Sequence, residues 1–202
     1  MVLHKLKRNR FAIIASLLII VVLFVIVYQF MWGSRQLPVI DKAPSFTMSD
    51  MYGKQVSLQD SDGKVRLVSF HYTRCPDICQ ATNLNIIRIQ QKLKEEDMLG
   101  NKTQLLTITF DPKNDTEEVL QHYTAARNIQ PDGWRFLRGT PEQTKEVLDG
   151  FKVYVEDSGN GFLTHSNELF LLDGQENIRA IYKMGDQMDN EQIVKDMKTL
   201  LQ

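Results

Sequence analysis

The chain has 202 residues, with 24 Lys or Arg against 25 Asp or Glu and a formal charge of -1. That is enough for one membrane anchor and one domain able to bury an adequate core. The charge is unevenly placed: Lys5, Lys7, Arg8, Arg10 and Arg35 all precede the first acidic residue, Asp41, so the part after Arg35 keeps 19 basic against 25 acidic residues, a net of -6. It offers no basic stripe to neutralise phosphates, which argues against nucleic acid and leaves room for a cationic cargo or a basic partner.

The first predicted element is a transmembrane anchor over residues 11–32. Phe11 to Phe30 contains no charge, Pro or Gly, and about 20 apolar residues cross a bilayer core at ~1.5 Å per residue. The run is long and is followed by Tyr28, Phe30, Met31 and Trp32; a cleaved signal peptide has a shorter apolar core and a small-residue cleavage site. No Cys lies here, so processing at a lipidated Cys is excluded. The basic tail 1–10 precedes the run and only Arg35 follows closely, which by the positive-inside rule puts the N-terminus in the cytoplasm and the remainder outside. The expected location is therefore the cell membrane, single-pass, with a tether over 33–42 and an extracytoplasmic domain over 43–202.

From Ala43 onward strands and helices alternate. Phe46 to Met48 and Val56 to Leu58 predict a hairpin around Tyr52-Gly53, and Val65 to Tyr72 a strand. A helix is expected from Pro76 to about Glu96, with Ile78, Leu84, Ile87, Ile89 and Leu93 as its inward stripe. Leu105 to Phe110 is a second buried strand. Asp115 with Glu118 suggests a capped helix start. Trp134 to Leu137 is a short strand, and Thr140-Pro141-Glu142-Gln143 opens a further helix. Glu168 to Leu172 and Ile178 to Lys183 form a hairpin about Asp173-Gly174, and Asp189 caps a last helix. This order predicts an α/β, thioredoxin-like domain after the single transmembrane helix. The strands from Val65 and Leu105 are expected to be parallel neighbours with a right-handed crossover, which brings Cys75 and Asp111 to one sheet edge.

Only two cysteines are present, in Thr73-Arg74-Cys75-Pro76-Asp77-Ile78-Cys79. Four residues apart at a helix start, they share a face, and the helix N-terminus favours thiolate. Thiolate is both nucleophile and soft ligand; two thiolates suit Cu(I), and an added imidazole suits Cu(II). Three uses remain open on these residues: a structural disulfide, a dithiol redox pair, or half of a metal site. The disulfide is the weakest, because closing so short a loop removes little unfolded-state entropy.

The pattern resembles the Sco/SenC family. The likeness rests on Ala43-Pro44-Ser45-Phe46, Gly53, Val56-Ser57-Leu58, Gly63-Lys64, Phe70 through Cys79, Phe110-Asp111-Pro112 with Asp115-Thr116, Leu137-Arg138-Gly139-Thr140, Thr164-His165-Ser166 and Leu172-Asp173. The resemblance implies a membrane-tethered thioredoxin-like protein that binds copper through Cys75, Cys79 and His165, with Asp111 and Asp77 as neighbours of the site. It implies a copper chaperone rather than an enzyme, serving the binuclear copper centre of cytochrome c oxidase, with that centre's subunit as partner and no small-molecule substrate. Two departures stand out. Gln80 occupies the place after the second Cys where the family usually has Pro, and Phe162 stands where an aromatic residue commonly precedes the His.

His165 is expected to be presented by the Gly159-Asn160-Gly161 loop just before a strand. Thioredoxins place a cis-proline there; this sequence has no Pro after Pro141, so an imidazole can approach the sulfurs. His4 falls on the cytoplasmic side, His122 on a helix without ligand neighbours, and His71 reads as packing. Met184 is a candidate weak axial ligand, though an isolated Met usually packs. The alternative function is a thiol-disulfide reductase that keeps the oxidase subunit's copper-ligand cysteines reduced. A thiol peroxidase is disfavoured because Tyr72 stands where that motif wants Thr. A copper sensor without a delivery role stays open.

Overall fold

A computed structural model describes residues 13–27, 37–76, 78–159 and 162–201. The chain divides into two units, residues 1–35 and 36–202. In the first, residues 13–27 form helix α1 with nearly every side chain exposed. Among the described residues no helix is long and apolar enough to cross a membrane. The expected span of 11–32 extends over residues 11–12 and 28–32, which lie outside the described residues.

The second unit is built on an eight-stranded sheet. Its strands are β1 (Asp41–Lys42), β2 (Thr47–Asp50), β3 (Gln55–Ser57), β4 (Val65–His71), β5 (Thr103–Thr109), β6 (Trp134–Arg138), β9 (Glu168–Leu172) and β10 (Asn177–Lys183). They lie in the order β1-β10-β9-β4-β5-β6-β2-β3, and β7 (Val155–Asp157) pairs separately with β8 (Leu163–His165). As expected, β4 and β5 are parallel, in register from Val65↔Thr103 to His71↔Thr109. Every residue of β4 and β5 is buried, as befits strands covered on both faces.

Successive strand residues face opposite sides, and β4 shows what each side meets. His71 faces α2 (Ile78–Glu95) and α3 (Glu117–Ala125), with Asn83 of α2 at 3.3 Å and the Tyr123 ring of α3 at 5.0 Å. Phe70 meets α4 (Pro141–Phe151) on the other side, its ring edge-on to Phe151 at 5.4 Å and to Phe170 of β9 at 6.0 Å. Each such ring removed from water stabilises the fold by about 1.5–3 kcal/mol. α5 (Asn190–Thr199) packs on α2.

The predicted caps on α4 and α5 hold: Thr140 and Gln143 form a capping box ahead of Pro141, and Asp189 accepts from the Gln192 N–H. Two expectations need correction. The inward face of α2 is Cys79, Thr82, Asn83, Ile86, Ile89 and Leu93, while Leu84 is 59% exposed. Polar residues hold part of that face because they have partners there: Asn83 donates to the Tyr123 hydroxyl at 2.6 Å, and Thr82 accepts from the Gly185 N–H at 2.9 Å. Gly185 has φ +70, and a Cβ there would sit 2.9 Å from the Ile78 side chain, so glycine is required where the chain crosses the start of α2. The helix α3 is capped by Thr116, which accepts from the Val119 N–H; Asp115 is spent elsewhere, as shown below. Within the span read as a tether, the Leu37 carbonyl accepts from Arg179 and Asp41–Lys42 pair with β10.

Candidate metal centre

Three chain segments meet at the C-terminal edge of β4 and β5. Beyond His71 the chain turns through Tyr72, Thr73 and Arg74 into Cys75; beyond Thr109 it continues as Phe110-Asp111, with the Phe110 N–H donating to the His71 carbonyl at 3.0 Å. β9 runs antiparallel to β4, with Ser69 opposite Leu169, so β9 starts at this same edge and brings His165 with it. The parallel register predicted from sequence is what places the first two segments together.

Neither Cys75 nor Cys79 is in a disulfide, and both are buried. Their sulfurs and a ring nitrogen of His165 all lie within 4.8 Å of one another, with Cys79 Sγ 3.8 Å from His165 Nε2. This is the one such group among the described residues. The imidazole is set by its other nitrogen: Nδ1 lies 2.6 Å from the Ser166 carbonyl. A carbonyl only accepts, so Nδ1 carries the proton and Nε2 turns a lone pair toward the sulfurs. Phe110 packs against the ring, centroids 4.8 Å apart, and Tyr72 stands edge-on to it at 6.2 Å. Tyr72, Cys75, Pro76, Ile78, Phe162, Leu163, His165 and Asn167 line an open cleft above the site.

The electrostatics are those of a cluster holding protons. The Cys79 thiol is pushed above its ordinary range, first by its hydrogen bond with the Cys75 side chain and then by burial. At His165 burial acts to lower the pKa, but the Cys75 side chain and the Ser166 carbonyl outweigh it, and the net shift is upward. Two sulfurs and an imidazole this close cannot all present lone pairs without a cation among them. A soft cation would displace those protons and satisfy all three groups.

Asp111, expected beside the site, is buried and bonds to Arg74 at 2.8 Å and to Asn114 at 2.8 and 3.0 Å; it reaches the cysteine loop through Arg74. Asp77 lies outside the described residues, as does His4. His122 is exposed on α3 and is not part of the cluster, and Met184 is buried.

Two residues to which the sequence assigned no part in the site help to shape it. Asp115 is fully buried and accepts from the Thr73 N–H, the Thr73 hydroxyl and the Thr109 hydroxyl. It ties the cysteine loop to the end of β5, and burial raises its pKa against the lowering effect of those donors. Gln80 donates to the Cys75 carbonyl at 3.1 Å, while its oxygen accepts from Arg127 at 3.1 Å and from the Tyr123 hydroxyl at 3.4 Å. The departure from Pro noted at Gln80 marks a position with work to do; Asp115 carried no signal beyond its closeness to the strand end.

The family profile described as SCO1/SenC matches residues 35–202. The chain belongs to the SCO1/SenC family. The SCO1 protein homolog of Bacillus subtilis is 27% identical over 172 residues, covering 83% of this chain and 88% of that protein. The copper-bound crystal structure of ScoI from Arabidopsis thaliana is 26% identical, with TM-score 0.66 over 77% of this chain and 98% of that one. BsSco, described through a disulfide switch as a member of the Sco family of cytochrome c oxidase assembly proteins, is 26% identical, with TM-score 0.72 over 81% of this chain and 95% of that one. The thioredoxin-like domain of this SCO1/SenC chain thus extends over essentially all of the copper-bound relative.

Proposed function

We propose that this protein is a copper chaperone that holds copper through Cys75, Cys79 and His165 and delivers it to the copper-centre subunit of cytochrome c oxidase during assembly. The observation that carries the reading is the convergence of two cysteine sulfurs outside any disulfide and a correctly tautomeric imidazole within 4.8 Å at one sheet edge. Two thiolates and one neutral imidazole suit copper in both oxidation states. A Sco relative is known with copper bound, and another is described as an oxidase assembly protein. The mildly acidic domain is compatible with a cationic cargo.

Delivery follows from the same residues. Bound copper displaces the thiol protons of Cys75 and Cys79, so protonation favours release and thiolate favours loading. A disulfide between Cys75 and Cys79 has no lone pairs of thiolate character to offer, so oxidation closes the site; the disulfide switch described for BsSco fits such a gate. The apolar run at 11–32 is the proposed membrane anchor, with the N-terminus cytoplasmic and the domain outside.

The second reading, a thiol-disulfide reductase acting on the oxidase subunit, is favoured by one observation: Cys75 lines the open cleft and is in no disulfide. One comparison separates the two. Copper-loaded protein is mixed with pre-reduced, copper-free oxidase subunit, and copper is followed by thiolate-to-copper absorption. Transfer is expected. If no copper moves while reduced, copper-free protein does reduce the oxidised subunit, the reductase reading replaces delivery. His165→Ala should weaken Cu(II) binding more than Cu(I), because two soft thiolates already satisfy Cu(I).

A further inference from the structure

A groove of about 590 Å³ lies beside the copper cleft, walled by α4, the Phe110–Lys113 loop and the β7–β8 hairpin. Leu163 lines both, and Phe110, whose ring packs on His165, forms part of the groove wall. Leu148 and Val155 add to the apolar lining. Of the four charged residues that line it, Asp111 is paired with Arg74 and Lys145 with Asp149, while Lys113 has no ion pair among the described residues. Thr144 also lines the groove; it is 3% exposed, and its hydroxyl has no hydrogen-bond partner. A buried hydroxyl left unpaired costs stability and is uncommon, and an occupant that brings an acceptor would satisfy it.

The hairpin backbone decides what kind of occupant fits. The Ser166 N–H donates to the Tyr154 carbonyl and the Ser158 N–H to the Phe162 carbonyl. Bonded and non-bonded pairs alternate along an antiparallel ladder, so in the pairs Val155↔His165 and Asp157↔Leu163 the backbone groups turn away from the partner strand. The Leu163 N–H does so, donating outward to the Tyr72 hydroxyl at 3.3 Å. Val155 and Asp157 therefore present N–H and C=O along the outer edge of β7, which has no other strand beside it. An open strand edge with an apolar groove next to it suits an extended peptide, whose main chain pairs with the edge while alternate side chains enter the groove.

Resting on the delivery reading above, we infer that this groove and the β7 edge dock an extended segment of the copper acceptor, with an apolar side chain in the groove and an acidic one toward Lys113. The segment pairs with Val155 and Asp157, and Leu163 sets it alongside the cleft that opens on Cys75 and His165. Recognition is thereby kept apart from the metal ligands, and the acceptor's own ligands stay free to take the ion.

The test uses the full chain and reduced, copper-free oxidase subunit. With copper absent, adding the subunit should slow hydrogen exchange at the amides of Val155 and Asp157. Copper-loaded protein is then titrated with the subunit in wild type, Thr144→Val and Val155→Pro. Thr144→Val keeps the side-chain volume and removes the unpaired hydroxyl; Val155→Pro removes an outward N–H that the β7–β8 ladder does not use. Each should raise the half-saturating subunit concentration by roughly tenfold, with the limiting transfer rate and the thiolate-to-copper band of wild type. Thr144→Val should also resist urea better than wild type, which separates its loss of affinity from damage to the fold. Amides that are not slowed, or half-saturation as in wild type for both variants, overturn the docking while delivery stands. Slowed amides with no copper transfer overturn delivery and leave the docking in place. Protection that appears on concentrating the protein alone assigns the edge to a second copy and overturns the inference.

Discussion

The His71 imidazole is held neutral by its surroundings: burial first, then the charges of Arg127 and His165, push its pKa down to about 3. Asn83 Nδ2 donates to its Nδ1, so Nε2 carries the proton, and that atom has no hydrogen-bond partner. The unfolded chain takes up a proton near pH 6.5 and the folded one does not until about 3. Stability is therefore full above pH 6.5 and falls as pH drops toward 3, by up to about 1.4 kcal/mol per pH unit in that window. Urea melts of the reduced, metal-free domain across this range should show the slope, and His71→Asn, which keeps an acceptor near Nδ1, should flatten it while lowering overall stability. Gln80 gives a second expectation. Gln80→Ala removes the bonds to the Cys75 carbonyl and Arg127 and should cost about 1–2 kcal/mol in the same melts. Gln80→Pro, the residue usual in the family, should cost less, because Pro is tolerated in the first turn of a helix and restricts the unfolded chain; both variants should keep the thiolate-to-copper band. Cys75 and Cys79 were legible because both lie in one short motif, whereas His165, 86 residues beyond Cys79, was legible only through the family resemblance. Asp115, Gln80 and Tyr72 were not: each acts through a partner 42 to 91 residues away, such as Asp115 with Thr73, Gln80 with Arg127 and Tyr72 with Leu163, and sequence spacing does not encode those meetings.

At the level of elements, the hairpin β7–β8 is the least anchored part of the centre. It has three residue pairs, Val155↔His165, Glu156↔Thr164 and Asp157↔Leu163, and no strand of the main sheet beside it. What holds it is the Ser166 N–H on the Tyr154 carbonyl, the Tyr154 N–H on the Ser166 hydroxyl, and the Tyr72 hydroxyl. Short, solvent-edged pairings open well before a core does. In hydrogen exchange, amides of 155–157 and 163–165 should exchange faster than those of β4 and β5. Adding Cu(I) should slow them, because binding stabilises the closed arrangement by mass action; His165→Ala should abolish that slowing while Cys75 and Cys79 still take up metal. Exchange in the hairpin unmoved by copper would detach His165 from the centre. The hairpin escaped sequence reading because Glu156-Asp157 and Thr164-His165 carry no apolar alternation, and a three-residue strand is too short to show a period. The inward stripe of α2 was read in part, with Ile89 and Leu93 buried as expected and Leu84 exposed; its polar share was missed because hydrophobic periodicity cannot see that Asn83 and Asn85 are buried with partners, as with Asn85 on the Gly185 carbonyl at 2.9 Å. Capping chemistry, being local, was read correctly at Thr140 and Asp189 and missed by one residue at Asp115.

For the whole chain, the architecture was legible because β4, β5 and their crossover helix are long and strongly patterned, and the handedness of such units leaves few topologies. The edge strand β1 was harder, since a two-residue pairing is decided by neighbours such as Glu176, whose carbonyl receives the Ala43 N–H. In the proposed function, the apolar run at 11–32 confines a copper-carrying domain to the plane of its acceptor. Confinement raises the effective concentration of donor at acceptor without any new contact. In intact spheroplasts, added protease should digest the domain beyond residue 36 and leave the basic tail protected; a fully protected domain would reverse the proposed orientation. Cells in which residues 1–35 are replaced by a cleavable export signal should then assemble less active oxidase of the type with a binuclear copper centre, although the released domain binds copper as before. Raising the amount of the released domain, or supplying copper, should restore activity, because either one replaces the lost effective concentration. Oxidases without that centre should be unaffected throughout. If the released form supports full activity at ordinary abundance, the apolar segment serves export or retention and not delivery.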